Sequence, residues 1–275
     1  MYSILHFFAI LLIHRGREWY HDLRHGKRKK EMKNLFLPDT SVQGGKVIIE
    51  GDAFHHLKHV RRVRGGEALH AVVGRCRYDL TVSAVERTRI VCSIEAKRGV
   101  KADSGVPIRV YQGLLKQRKM DTVAAKLAEL GVAELIPVLT ERTVPPGSGA
   151  GRVERWRKLA REGAKVAGTE TPMSVLEPRP LQQVLKSLNK GINGVIILFC
   201  TEHATVHLRT YLESLTTDGI GDFNLFFGPE GGFTEQEAAL VAELKGVCVT
   251  MGPLVLRSET AAIVGTGFVR LFHTP

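Results

Sequence analysis

The chain has 275 residues, 44% of them apolar and 24% charged, enough for one large or two ordinary domains and too balanced for a disordered tail or a collagen-like fibre. Its four cysteines (Cys76, Cys92, Cys200, Cys248) form no C-x-x-C pair, which excludes a disulfide-dense scaffold and a zinc ribbon and points to a reducing cytoplasm. Lys and Arg number 39 against 28 acids, a formal charge of +11 that favours a polyanionic partner.

Residues 2–13 (YSILHFFAILLI) form an apolar run shorter than the ~20 residues a bilayer requires. The cations near it follow the run rather than precede it, and no small-residue cleavage site appears, so a secretory signal is not expected. An interfacial anchor is one reading of the segment. The plainer one is an extension, residues 1–31, outside the fold, since Met32 opens an ordinary domain start, MKNLFLPD. A membrane partner is not expected.

Residues 32–100 carry twelve Lys/Arg against seven acids, while residues 101–275 carry twenty against eighteen. The excess thus sits toward the front, as expected when a basic module binds nucleic acid and a larger one does chemistry. Within residues 35–97 the pattern predicts strands at 47–50, 68–73, 78–85 and 90–96. A short helix over 53–63 is capped by Asp52 and closed by Gly65 and Gly66. Several short strands in so small a span suggest a small β-barrel. Residues 99–107 (GVKADSGVP) read as a linker, with 101–107 dividing the first module from a second over 108–275.

Beyond the linker, strands at 108–115, 134–139, 195–200, 224–227 and 247–251 alternate with helices at 121–130 and 152–167. Alternation of this kind implies an α/β layer with a mostly parallel sheet. The run VIILFC at 195–200 is continuous, as in a strand buried on both faces.

There is no P-loop, no G-x-G-x-x-G after a strand, no G-x-S-x-G and no H-E-x-x-H. His55, His56 and His59 share one short helix, but no Cys, Asp or Glu cluster accompanies them, so no metal is expected. Two loops carry the chemical signal. Residues 227–234 (FGPEGGFT) run from strand to helix, with three glycines for close ligand approach and a Thr234–Glu237 capping box behind them. Residues 251–263 (MGPLVLRSETAAI) leave a strand, cross an apolar stretch and enter a helix with Ser258 at its N-cap. Arg257 stands just before that helix, where a cation gains nothing from the dipole; it serves either chemistry or an ion pair with Glu259 or Glu230.

These loops resemble those of the SPOUT superfamily of trefoil-knot methyltransferases, and more narrowly of the 16S ribosomal RNA uridine-N3 methyltransferases. The resemblance runs from Met32 to Phe272. It includes residues 56–62 (HLKHVRR), Lys116, Lys119, residues 126–132 (KLAELGV), the Glu141–Arg142 pair, Arg155–Trp156 and both C-terminal loops. It implies a knotted C-terminal α/β methyltransferase domain behind a PUA-like β-barrel, S-adenosylmethionine as cofactor, small-subunit ribosomal RNA as partner, and a homodimer. It places the cofactor at Phe199, Thr201, Gly228, Pro229, Glu230, Gly231, Met251, Gly252, Leu254 and Leu256. RNA would meet His56, Arg61, Arg62, Arg64, Lys116, Lys119 and Arg142, and Arg257 with Glu259 would be catalytic. Val166, Thr169 and Leu254 depart from the family pattern, replacing an amide and two arginines, and Arg61 stands where the first module has leucine. Those departures leave open another RNA target, or a binding factor without turnover. On the last helix Ile263, Val264, Gly267, Phe268, Leu271 and Phe272 form an apolar face. Gly265 and Gly267 on it suggest close approach of a second backbone.

Overall fold

The computed structural model describes residues 34–100, 105–143, 151–188, 194–199, 204, 206–215 and 220–273. The proposed extension, Cys200, Thr201 and part of the linker lie outside the described residues. No described helix is long and apolar enough to cross a membrane.

The first sheet contains β1 (Leu35–Leu37), β2 (Val42–Gln43), β3 (Lys46–Ile49), β4 (Ala68–Val73), β5 (Cys76–Val85) and β6 (Ile90–Gly99), in the order β1-β4-β5-β6-β3-β2. All its ladders are antiparallel except β1 with β4. Val47, Ile49, Leu69, Ala71, Leu80, Val82, Ile90 and Cys92 alternate inward along these strands. Between β3 and β4 the single predicted helix is in fact two pieces, α1 (Gly51–His55) and a π-helical turn (His56–Arg61). Asp52 does not cap it; Glu50 holds the N-cap position, and Asp52 instead accepts from Lys158 Nζ at 2.6 Å. The glycine pair does not end it either. Arg62 does, in the left-handed region at φ 54°.

The second sheet is parallel throughout. Its elements are β7 (Ile108–Gly113), α2 (Lys119–Glu129), β8 (Glu134–Leu139), α3 (Arg152–Ala167), β9 (Ser174–Val175), β10 (Arg179–Pro180), α4 (Leu181–Leu188), β11 (Val195–Phe199), β12 (Val206–His207), α5 (Leu208–Ser214), β13 (Phe223–Phe227), α6 (Glu235–Glu243), β14 (Val247–Thr250) and α7 (Ser258–Phe272). The strand order is β10-β8-β7-β13-β11-β14-β12, with β9 beside β8. Helices α2, α3, α5 and α7 cover one face, and α4 and α6 the other. Burial on both faces explains the unbroken apolar runs: in β13 Phe223, Leu225 and Phe227 face one helical layer and Phe226 the other. Each such side chain contributes on the order of 2 kcal/mol on leaving water.

Two contacts set how the helices seat. Arg270 of α7 donates to the carbonyls of Leu130, Gly131 and Val106, satisfying the open C-terminal end of α2. Gly265 is buried: a Cβ there would come within 2.8 Å of the Phe199 ring and 3.1 Å of Phe227. It admits the stacked Phe199–Phe227 pair of its own sheet, not the backbone of a second chain. The apolar face of α7 is real nonetheless, since Val264, Phe268, Leu271 and Phe272 are exposed.

The two sheets meet through a buried carboxylate. Glu170, just after α3, accepts from Arg77 at 2.6 Å and from Arg98 at 2.8 Å, and the Asn34 amide donates to the Thr169 carbonyl.

Candidate functional site

In a parallel sheet ligands gather beyond the carboxyl ends of the strands. Both signal loops leave that edge, the first from β13 and the second from β14, and residues 114–118 leave it from β7 beside them.

The loop of residues 228–234 is tied at nearly every position. The Gly228 carbonyl accepts from the Gln112 amide at 3.2 Å and from the Ser258 hydroxyl. Glu230 Oε1 accepts from Lys119 Nζ at 2.8 Å and from the Lys116 backbone N–H at 3.1 Å. Burial pushes the Glu230 carboxyl up, but the hydrogen bonds from Lys119 and from its own and Lys116's N–H outweigh it, so the group lies below its ordinary value. The Gly231 carbonyl accepts from Arg142 at 2.7 Å. Gly232 N–H closes a turn onto Pro229 O, and Gly232 itself sits at φ 70°. The capping box is present in both directions: Glu237 N–H reaches Thr234 Oγ1 at 3.3 Å, and Thr234 N–H reaches Glu237 Oε2 at 2.9 Å. Glu237 Oε1 also takes the Glu141 N–H at 2.8 Å, which anchors the Glu141–Arg142 turn after β8 to the same loop.

The loop of residues 251–257 is the opposite. Thr250 Oγ1 holds Gly252 at both its N–H and its carbonyl. From there to the helix the N–H groups of Leu254, Val255 and Leu256 meet no acceptor among the described residues. Leu254 and Val255 are 76% and 83% exposed. Helix α7 then starts at Ser258 with Arg257 as N-cap and no side-chain capping bond. Ser258 is therefore not the cap that its sequence position predicts, because its hydroxyl is turned back to Gly228. Arg257 is exposed and paired with neither Glu230 nor Glu259. Glu259, in the first turn, holds one buried oxygen, Oε2, with no partner among the described residues.

Other expected residues fall in three places. Lys119 and Arg142, expected on RNA, hold the first loop, and Lys116 joins them through its backbone. Phe199 ends β11 below the loops with its ring committed to the core, and Met251 opens the second loop just past β14. His56, Arg61, Arg62 and Arg64 are exposed on the first sheet's connection, where Lys58 is anchored to the Glu86 and Arg87 carbonyls. Of the departing residues, Val166 is exposed and Thr169 folds onto Thr171. Gln112 is the residue that motif reasoning missed. Its signal was an amide inside the otherwise apolar end of a strand.

A cavity of about 470 Å3 lies at the opposite, amino end of β7, β8 and β13. Its polar lining is largely paired with itself: Arg109 with Asp222, the Tyr111 hydroxyl with Asn224 at 3.1 Å, and the Asn224 amide with Asp222 at 2.6 Å. The loop edge is the better candidate because its polar groups remain open.

Comparison with known proteins places the chain in a family. Residues 102–270 match the family described as the RNA methyltransferase domain. The ribosomal RNA small subunit methyltransferase E of Bacillus subtilis is 26% identical over 226 residues, 78% of this chain and 86% of that protein. The protein of the same name from Rickettsia conorii is 29% identical over 245 residues, 86% of this chain and 94% of its own length. Among solved structures, that of a ribosomal RNA small subunit methyltransferase E from Neisseria gonorrhoeae, bound to S-adenosyl methionine, superposes with a TM-score of 0.76 at 24% identity. It covers 88% of this chain and 98% of that one, and shares the α/β fold with its parallel sheet.

Proposed function

Since the chain belongs to the RNA methyltransferase domain family, we propose that it methylates small-subunit ribosomal RNA with S-adenosylmethionine, at N3 of a uridine. The observation that carries this reading is the pairing of a preformed glycine loop with an open one at the carboxyl edge of the sheet. The residues fit the cofactor. Residues 228–231 and 251–256 would hold it, with the N–H groups of Leu254, Val255 and Leu256, which meet no acceptor among the described residues, as donors and the apolar side chains around them as the bed for an adenine. When bound, S-adenosylmethionine supplies an electrophilic sulfonium methyl group.

The protein's own work is on the RNA. A uridine imide must give up its N3 proton to become a nucleophile, so a cation beside the developing anion lowers the barrier. Arg257 meets that need: exposed, without an ion-pair partner among the described residues and at the mouth of the open loop, with Glu259 in the first turn of the helix to take or relay a proton. His56, Arg61, Arg62 and Arg64 on the first module would grip phosphates, and Lys116, with Lys119 and Arg142 behind it, would steer the strand toward the loops. The finer architecture belongs to the same proposal: a PUA-like barrel over residues 32–100, a short linker, a knotted domain over 108–275, cytoplasmic location, and a homodimer seated on the apolar face of α7.

The test is direct. The purified protein, S-adenosylmethionine and small ribosomal subunits from cells lacking this activity are incubated, and the rRNA nucleosides are resolved by mass spectrometry. The expected product is 3-methyluridine. A different methylated nucleoside would move the target elsewhere, the outcome that exposed Leu254 in place of an arginine favours. Cofactor binding with no methyl transfer would make the chain a silent RNA-binding factor.

A further inference from the structure

We propose that Gln112 is a positioning residue of the methyl-donor site, its buried amide locking the two cofactor loops into one fixed geometry. The proposal rests on the reading of those loops as the S-adenosylmethionine site. Gln112 is 0% exposed, near the end of a strand whose neighbours Val110, Tyr111 and Leu114 are apolar and buried. A side chain there with no task beyond filling space would be apolar, because burying an amide loses its hydration. Its Nε2 instead lies 3.2 Å from the Gly228 carbonyl and 3.0 Å from Ser258 Oγ, with the Gly113 carbonyl also at 3.0 Å. Ser258 donates its own proton to the same Gly228 carbonyl. One carbonyl thus receives two donors, and three segments that are far apart in sequence meet at it.

The orientation of the amide is itself informative. Oε1 is buried and has no partner among the described residues, so the group satisfies the loops in preference to itself. Backbone packing enforces the contact. A Cβ on Gly113 would lie 2.4 Å from Pro229 N and 2.8 Å from Gly228 C, so the strand end sits hard against the loop. Among the described residues, apart from this node, the second loop is held chiefly by Thr250, within its own turn. Gln112 and Ser258 are therefore what transmits the rigidity of the first loop to the second.

The experiment measures S-adenosylmethionine affinity by calorimetry, the separate KM values for cofactor and RNA, and the thermal midpoint. It compares the wild type with Gln112→Met, Gln112→Glu, Ser258→Ala and the Gln112→Met/Ser258→Ala pair. Met keeps the volume and removes the donor; Glu keeps the shape and turns the donor into an acceptor facing carbonyls. We expect Gln112→Met to lose at least tenfold in cofactor affinity, about 1.4 kcal/mol, and to raise the cofactor KM while the RNA KM stays within twofold. Gln112→Glu should lose more. The double variant should lose less than the two single losses combined, because both act through Gly228. A purely structural residue would lower the midpoint and leave cofactor affinity of the folded protein unchanged; that result overturns the proposal, as do additive effects. If Gln112→Met does not fold, Ser258→Ala alone decides: a loss of threefold or more upholds the node, and unchanged affinity removes it. A wild type that binds no S-adenosylmethionine overturns the site reading together with this one, whereas tight wild-type binding with indifferent variants overturns only the role of Gln112.

Discussion

Two loops leave neighbouring parts of one sheet edge and are built in opposite ways. Residues 228–234 have their carbonyls, carboxylate and cap engaged by Gln112, Ser258, Lys119, Arg142 and Glu237. Residues 253–257 have two exposed aliphatic side chains, and, among the described residues, three of their N–H groups meet no acceptor and Arg257 meets no ion-pair partner. A site needs both kinds of part. The tied loop stores its geometry before any ligand arrives, which lowers the ordering cost of binding. The open loop keeps its hydrogen-bonding capacity and apolar surface for the ligand itself.

The largest effect is expected where the tied loop has no room. A Cβ on Gly228 would lie 3.0 Å from the Gly232 backbone and 3.2 Å from Phe233 N. Neither neighbour is a flexible side chain, so Gly228→Val must move the loop; overpacking of this kind costs about 1–3 kcal/mol. We expect cofactor affinity to fall on the order of 100-fold by calorimetry. Affinity within threefold of wild type would mean that the loop's preformed shape is irrelevant to binding.

The same contrast marks what the sequence could and could not say. The capping box at Thr234–Glu237 was legible because both partners are local, three residues apart. Alternating strand and helix was legible because burial on both faces writes continuous apolar runs. What failed were inferences from position alone. Ser258 looks like an N-cap until the fold brings Gly228 beside it, 30 residues away in sequence. Gly265 looks like an interface glycine until Phe199 and Phe227 are placed beneath it. Glu170 carried no signal, because the two arginines it joins lie 93 and 72 residues earlier. The resemblance assigned Lys119 and Arg142 to RNA, whereas in the fold Lys119 holds the carboxylate of Glu230 and Arg142 the Gly231 carbonyl of the tied loop.

Arg142 gives the next effect. Its guanidinium is the support of the Gly231 carbonyl, and a Cβ on Gly231 would press on the Arg142 side chain at 3.2 Å, so that glycine is reserved for the arginine as well as for a ligand. Arg142→Ala should lower cofactor affinity about tenfold, the scale of one charge-assisted hydrogen bond of ~1.5 kcal/mol. Arg142→Lys, keeping the charge without the planar fork, should recover only part of it. Equal affinity for all three proteins would show that Gly231 needs no support.

The open loop should respond in the reverse sense. Leu254→Ser with Val255→Ser alters side chains that touch little of the folded protein, so unfolding stability should change by less than about 0.5 kcal/mol in denaturant titration. Cofactor affinity should nonetheless fall severalfold if these side chains form part of the bed. Hydrogen exchange sharpens the same point: amides of Leu254, Val255 and Leu256 should slow on adding S-adenosylmethionine, while Gly232 N–H, already bonded to Pro229, should change little. Slow exchange at residues 254–256 before ligand addition would remove the distinction between the loops.

The smallest effect is the pH dependence of the tied loop. Glu230 is held below its ordinary value of 4.5, and the Lys119 ammonium and two N–H groups that lower it act only on the carboxylate. A carboxyl whose folded value is depressed contributes stability that is present above its unfolded value and is lost as pH falls through the folded one. The contribution is under about 1 kcal/mol, since both side chains keep contact with water. In Glu230→Gln the amide still accepts from Lys119 but no longer titrates. The stability difference between wild type and variant should therefore be flat at neutral pH and shrink only on acidification below about pH 4.5. A difference that persists unchanged through that range would mean that Lys119 contributes by packing against the loop, and that the charge on Glu230 does not help to tie it.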